Sequence, residues 1–524
     1  MPDGPFSLVS ASLESGGQKA CHNCRRRRRR CDRSQPVCRK CTSNGEECLG
    51  YGNLFRWTNA VASRGRMAGL STFGDAPGQH EPPRLQAGKQ HPDIFFPLID
   101  PLLQDLDSSS RYYIRHYTET VCRDLVSFDQ HDRNPFRFMV PLMDQYAYLK
   151  EIVVATAAIH LVARRRSQGV PVGHELVDAL SARAQAIKLL KLALDNIDES
   201  NRPAILAAVV FFVNFDLIDS GRGGWKVHLE AAGSLIRSLQ GDPRPANRAK
   251  SLNATTMRLG DMVVADCLTY HILGSALGAP DEAAARVYDG IDVPAVLRRA
   301  QAHSYHCCPP GILQIVAEAS RMASPDMIDG TLGGGEGADD RRAAIAATAS
   351  TLLSRARAMD VRAWVGSIAE LSADDDRETR VKLASAHRAA ACLYVRLCVP
   401  SAVRGGGGPG AAAVDEQAGQ LVDEILYHLS SIPAEHELFK GAVWPAFVAG
   451  GQTDDPGRRE WCLGCISSLW LASSPWVCPW GYVYTAAETL QRVWAARDAL
   501  PPGERARWNW LAVLRSSGEG CLIV

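Results

Sequence analysis

The sequence predicts a mainly α-helical protein: a small cysteine-rich module near the N-terminus, a flexible linker and a large all-α body. Three observations predict it. Apolar residues recur at helical spacing from about residue 95 onward, alternating strand-like runs joined by Asn-Gly or Asp-Gly turns are missing, and six of the sixteen cysteines fall within 28 residues. At 524 residues, with 46% apolar and 22% charged side chains, the chain has the length and composition to bury a large core.

Residues 1–20 lack any period and read as disordered. The cysteine module spans 21–48, and 49–94 form a basic extension and linker, with 66–93 rich in Gly, Pro, Gln and His. The body then runs over 95–515. In it Tyr113, Tyr117, Val121 and Leu125 recur every four residues behind Asp107 and Ser108, which suit a helix start. "YLKEIVVATAAIHLVA" and "RPAILAAVVFFVNFDLI" continue the helical pattern, and Pro203 fits a first helical turn. Glycine-rich pieces near 330–340 and 405–410 read as flexible insertions between helices. Residues 462–487 carry no charge and match a membrane span in length, but Pro475 and Pro479 interrupt them. Two buried helices joined by a proline turn are the better reading.

The net charge of +1 hides an asymmetry: residues 21–48 carry nine positive and three negative side chains, leaving the remainder at −5. A basic module on a mildly acidic body implies that one end meets a polyanion and the body does not. The first twenty residues lack the basic start and apolar run of a secretory leader. A reducing compartment follows as the expectation, in which clustered cysteines are metal ligands rather than disulfides.

Those cysteines are Cys21, Cys24, Cys31, Cys38, Cys41 and Cys48, spaced C-x2-C-x6-C-x6-C-x2-C-x6-C, and the second three repeat the first at an offset of 17. Zinc takes four ligands in tetrahedral array, so six thiolates satisfy two zinc ions only if two sulfurs serve both. The duplicate symmetry makes Cys21 and Cys38 the natural bridges. So small a module buries too little apolar surface to fold alone, and metal binding would supply its folding free energy. A single-zinc C-x2-C-x13-C-x2-C site is the alternative; it would leave Cys31 and Cys48 spare, and the matched x6 spacings argue against it.

"ACHNCRRRRRRCDRSQPVCRKCTSNGEEC" resembles the fungal binuclear zinc cluster family of transcription factors. The cysteine spacing matches, as do the steps Cys24-Arg25 and Cys31-Asp32 and the position of Pro36 between the halves. The resemblance implies one zinc held by Cys21, Cys24, Cys31 and Cys38, and a second by Cys38, Cys41, Cys48 and Cys21. It also implies that the first helix enters the major groove of double-stranded DNA, where residues midway between the second and third cysteines read a CGG-type triplet. Carried onto this chain the readers are Arg27 and Arg28, whose forks can donate to both O6 and N7 of guanine. Arg25, Arg26, Arg29, Arg30, Arg33, Arg39 and Lys40 would mostly meet phosphates. The family usually mixes lysine and apolar residues where this chain has six arginines, a departure that raises salt-sensitive, non-specific affinity.

The stretch "EECLGYGNLFRWTNAVASRGRMAG" is similar to the extension in fungal factors of the acriflavine sensitivity control group. "SSSRYYIRHYTETVCRDL", "NPFRFMVPL", "GWKVHLEAAGSLIRSL" and "LFKGAVWPAFVAGG" resemble the fungal-specific transcription factor domain that accompanies such clusters. Together they imply a nuclear regulator whose partners are DNA and the transcription machinery, without membrane contact, governing a drug-resistance or secondary-metabolite gene set. No heptad pattern follows Cys48, so a homodimer would have to form through the helical body.

Competing readings are a zinc protein binding nucleic acid without sequence preference, a nuclear-import signal, and an enzyme hidden in the body. The chain has no G-x-S-x-G or H-E-x-x-H pattern, so no enzyme is expected. Gly405, Gly407 and Gly410 formally match G-x-G-x-x-G but lack a βαβ context. His303, His306, Cys307 and Cys308 in "HSYHCC" read as a loop, Cys462 and Cys465 as core thiols, and the final "CLIV" as an apolar tail rather than a prenylation box.

Overall fold

The computed structural model describes residues 20–48 except 35, 36 and 47, then 103, 106–198, 201–240, 254–278, 288–322, 338–369, 371, 376–399, 409–471, 479–505, 508–518 and 520–524. Two units are present, Met1–Arg111 and Tyr112–Val524. Among the described residues the regular structure is helical, with a single isolated bridge between Val126 and Ser304. Pro36, Gly405, Gly407, the linker 66–93 and residues 330–337 lie outside the described residues.

The first unit contributes two short helices, α1 (His22–Arg26) and α2 (Arg39–Thr42). Helix α3 (Ser108–His116) runs across the boundary at Arg111 into the second, and its start is capped by Asp107: its Oδ1 accepts from the backbone N–H groups of Ser109 and Ser110 at 2.9 Å. A π-helical turn, Tyr117–Val121, leads into α4 (Cys122–Asp124). Tyr113, Tyr117, Val121 and Leu125 are all buried, as their spacing predicts.

Four longer helices follow: α5 (Ala147–Ser167), α6 (Glu175–Leu194), α7 (Arg202–Asp219) and α8 (Trp225–Gln240). Pro203 does sit in the first turn of α7. Every residue of α7 from Ala204 to Ile218 is buried, which explains its all-round apolar sequence: it lies inside the bundle, against α5, α6 and α8. Then come α9 (Ala254–Leu277), α10 (Val293–Ala300), α11 (Pro310–Met322), α12 (Ala338–Ala358), α13 (Val361–Ser367) and α14 (Arg377–Cys398). The body closes with α15 (Pro409–Ser430), α16 (Val443–Gln452), α17 (Pro456–Trp470), α18 (Gly481–Asp498), α19 (Pro502–Arg505) and α20 (Trp510–Ser516). Around α14 pack α11, α12, α15 and α16, and Trp444 of α16 stacks on His387 of α14 with ring centroids 5.9 Å apart. Aspartates cap four of these helices, with Asp292, Asp360, Asp376 and Asp455 each accepting from a backbone N–H three residues on.

The uncharged stretch 462–487 divides between α17 and α18, and no described helix is long and apolar enough to cross a membrane. Cys462 and Cys465 are buried on α17 as core thiols. The chain end packs too. Residues 521–524 are buried, Leu522 N–H donates to Gly221 O at 2.8 Å, and Tyr482 Oη donates to Val524 O at 3.1 Å. The apolar tail is therefore part of the body, whose packing continues beyond residue 515.

Gly221 makes this junction possible. Its φ is +68°, and an added Cβ would lie 2.6 Å from Tyr482 Cβ and 2.9 Å from Leu522 O. Gly221→Ala is expected to cost about 2–3 kcal/mol, from left-handed strain plus overpacking. Gly290→Ala, at φ +82° with nothing within 4 Å, should cost only about 1 kcal/mol. The urea midpoints of the two variants check the difference.

Candidate metal centre and nucleic-acid interface

The duplicate spacing of the cysteines is realised as duplicate geometry. Cys21 N-caps α1, its sulfur accepting from Cys24 N–H at 3.4 Å, and Cys38 N-caps α2 with the same bond from Cys41 N–H at 3.3 Å. The third cysteine of each half returns to the first: Cys21 N–H donates to Cys31 Sγ and Cys38 N–H to Cys48 Sγ, both at 3.5 Å. The sulfurs of Cys21, Cys31, Cys38 and Cys48 thus receive backbone dipoles that favour their negative charge.

These local turns bring the six sulfurs together as two groups of four. Cys21, Cys24, Cys31 and Cys38 form one group, Cys21, Cys38, Cys41 and Cys48 the other, with the sulfurs of each group within 4.8 Å of one another. Cys21 and Cys38 belong to both, and their sulfurs are 3.5 Å apart. A tetrahedron of sulfurs about 2.3 Å from a central zinc has edges of about 3.8 Å. The separations of 3.7 Å for Cys24–Cys38 and 3.8 Å for Cys21–Cys41 fit that edge. Cys31 and Cys48 fall inside the groups, which argues against the single-zinc alternative. Among the described residues every cysteine is free of disulfide bonds. Burial pushes the thiols of Cys21 and Cys38 up to about 11 and raises Cys24 and Cys41 as well, so binding a cation here must release protons.

The arginine run leaves the same scaffold. α1 ends at Arg26, and the chain turns by a Schellman motif: Arg29 N–H donates to Cys24 O at 2.9 Å, and Arg28 N–H to Arg25 O at 3.3 Å. Arg28 occupies the left-handed position of this motif, at φ +53°. Seventeen residues on, Glu46 N–H donates to Cys41 O and Gly45 N–H to Thr42 O, both at 3.0 Å, with Gly45 at φ +66°. The first half therefore places arginine where the second has the usual glycine, aiming an exposed side chain from a tight turn. Arg25, Arg26, Arg27, Arg28 and Arg30 are exposed and Arg29 is half-buried. Arg33, Arg39 and Lys40 are exposed as well, so the nine basic residues singled out by sequence share the surface of one small module.

Acidic residues order two parts of it. The Asp32 carboxylate accepts from the backbone N–H groups of Arg39 (3.1 Å) and Lys40 (3.2 Å) and from Ser34 Oγ, tying the first half to the start of α2. Slight burial raises its carboxyl, but the Ser34 hydroxyl and those N–H groups outweigh it and hold it at about 2. Glu46 pairs with Arg27 and Arg29. From sequence, Asp32 stands out only as part of the Cys31-Asp32 step and Glu46 only as a charge. The offset of 17, which sets Arg28 on Gly45 and Arg29 on Glu46, was the signal that could have found the turn and the pair.

The remaining candidates are structural. Among the described residues, the groups of three or more side chains that could hold a metal all lie in the cysteine module. "HSYHCC" is a buried loop in which Cys307 Sγ accepts from Arg380 at 3.1 Å and Ser304 bridges to Val126.

The comparisons agree with this geometry. The fungal Zn(2)-Cys(6) binuclear cluster domain matches residues 19–58, and the fungal specific transcription factor domain matches residues 111–523. The chain belongs to the fungal transcription factors that carry these two domains, and it is a transcription regulator rather than an enzyme. Over 97% of both chains it is 38% identical to acriflavine sensitivity control protein acr-2 of Neurospora crassa. No solved structure matches it. The cluster domain binds two zinc ions through cysteines and implies DNA as a partner.

Arg28→Gly is expected to stabilise the module by about 1 kcal/mol, the cost of holding an L side chain in the left-handed region. Zinc retention against a graded chelator would show it as slower loss of metal.

Proposed function

We propose that the chain is a nuclear, sequence-specific regulator of RNA polymerase II genes that reads a CGG-type triplet through its arginine run. The observation that carries this reading is the attachment of that run to α1 by the Schellman turn at Arg28, one helical turn from the sulfur groups. Cys21, Cys24, Cys31 and Cys38 would hold one zinc, and Cys21, Cys38, Cys41 and Cys48 the other. The bound metal supplies the folding free energy of the module. Arg28 and Arg27 are then the candidates for guanine contact, and Arg25, Arg26, Arg29, Arg30, Arg33, Arg39 and Lys40 for phosphates. The name of the Neurospora crassa relative supports a drug-resistance gene set as the target, and the family supports nuclear residence with the transcription machinery as partner.

Site selection from a random duplex library by the zinc-loaded full chain tests the reading. Enrichment of CGG-type triplets supports it; zinc binding without enrichment returns the module to non-specific binding. Cys21→Ala should abolish DNA binding because it removes a sulfur from both groups. Cys48→Ala touches one group, and zinc content per chain should fall further in the first variant. Arg28→Ala should keep its zinc and lose about 1–3 kcal/mol of triplet discrimination, read from competition between selected and scrambled duplexes.

The outer face of α6 supports a homodimer through the body. Its inner residues Ala179, Ala182, Ala186 and Leu190 are buried. Val177, Leu180, Ile187 and Leu194 are 64%, 50%, 48% and 42% exposed, and with exposed Ala184 and Lys191 they follow the alternating 3–4 spacing of a coiled-coil seam. Lys191 within such a seam would fix register at some cost in stability. Leu180→Glu combined with Ile187→Glu should convert a sedimenting dimer of the full chain to monomer; a wild-type chain that sediments as monomer at micromolar concentration removes this part of the reading.

A further inference from the structure

Glu46 reaches across the internal symmetry of the module to the arginine run. A single oxygen, Oε1, accepts from Arg27 Nη1 and, at 3.2 Å, from Arg29 Nη2. Arg29 and Glu46 are equivalent positions of the duplicate, each closing its Schellman turn with the backbone N–H. The same relation that sets Cys21 against Cys38 therefore sets position 29 against position 46. Two arginines there would repel; arginine and glutamate attract. The Glu46 side chain is 22% exposed, against 42% for Arg27 and 36% for Arg29, so the carboxylate is better sheltered from solvent than either partner. Among the described residues Arg25, Arg26, Arg28 and Arg30 make no ion pair with a carboxylate.

We infer that Glu46 is a positioning residue for DNA reading: it holds Arg27 and Arg29 away from the nucleic acid and leaves the guanine contact to Arg28. The inference rests on the reading of the module as a DNA reader, narrows its two candidate base readers to one and withdraws Arg29 from the candidates for phosphate contact. Its physical consequence is a limit on sequence-independent affinity. Each arginine that neutralises a phosphate releases counterions and tightens binding to every sequence alike. An uninterrupted six-arginine run would carry that term in full; a carboxylate engaging two of the six subtracts from it without touching Arg28.

The test compares zinc-loaded full chains on a scrambled duplex and on a selected one across a salt series. Glu46→Gln should steepen the slope of log Kd against log salt by about 0.9 for each arginine released, about 1.8 for both. The pair substitution Arg27→Gln with Arg29→Gln, made beside an intact Glu46, should leave the wild-type slope nearly unchanged, because those arginines are already engaged. Arg27→Ala should spare triplet preference and Arg28→Ala should remove it. A slope in Glu46→Gln equal to wild type, a slope that falls by about 1.8 in the arginine pair variant, or loss of preference in Arg27→Ala overturns the inference. The arginine variants decide it even if Glu46→Gln loses zinc. A wild-type chain with no triplet preference would instead remove the base-reading function, while the slopes would still report whether Glu46 holds the arginines.

Discussion

Two sulfurs shared between two groups of four are the constraint on which the first unit depends. Twenty-eight residues with two helices of five and four residues have almost no apolar interior. The buried cluster of this unit consists of the cysteines themselves, with Val37 packed against them. Sharing Cys21 and Cys38 lets six ligands do the work of eight and welds the two halves at equivalent points. A separate pair of sites would leave the halves free to hinge, and the relative placement of arginines from one half and Arg39 and Lys40 from the other would be lost.

The same symmetry governs how charge is presented. Both halves end their helix with the same turn, yet the residues at the turn differ: arginine against glycine at the left-handed position, arginine against glutamate at the next. Divergence within a duplicate has put the positive charge on one half and an acidic counterpart on the other. Asp32 completes the arrangement by receiving the first N–H groups of α2. A charge run of six arginines is thereby divided between pairing and exposure by the one carboxylate of Glu46, seventeen residues beyond Arg29.

The body works by a different physics. Its helices are held by burial of apolar faces, with α7, α14 and α16 enclosed on nearly all sides. Buried polar groups there are tied into networks, such as Asp124 to His160 at 3.0 Å and His160 to His116 at 2.9 Å. Burial pushes the His116 imidazole well below its ordinary value, so it stays neutral inside the bundle. The exposed apolar stripe of α6 departs from this rule.

Much of this was legible from sequence. The cysteine spacing pointed to metal ligation and, through the repeat of 17, to Cys21 and Cys38 as shared sulfurs, while leaving a single-zinc site as the alternative that the two groups of four sulfurs argue against. Helical periodicity located α3, α5 and α7, and Pro203 marked a start. Other features required the fold. The pairing of Glu46 with Arg27 and Arg29 depends on where the two halves meet, and the left-handed turn at Arg28 is hidden by a residue that rarely adopts it. The burial of "CLIV" likewise depends on Gly221 and Tyr482, about 300 and 40 residues away along the chain. Local spacing determines which atoms can bind a metal or line a helix, whereas contacts between distant segments are set only when the packed chain brings them together.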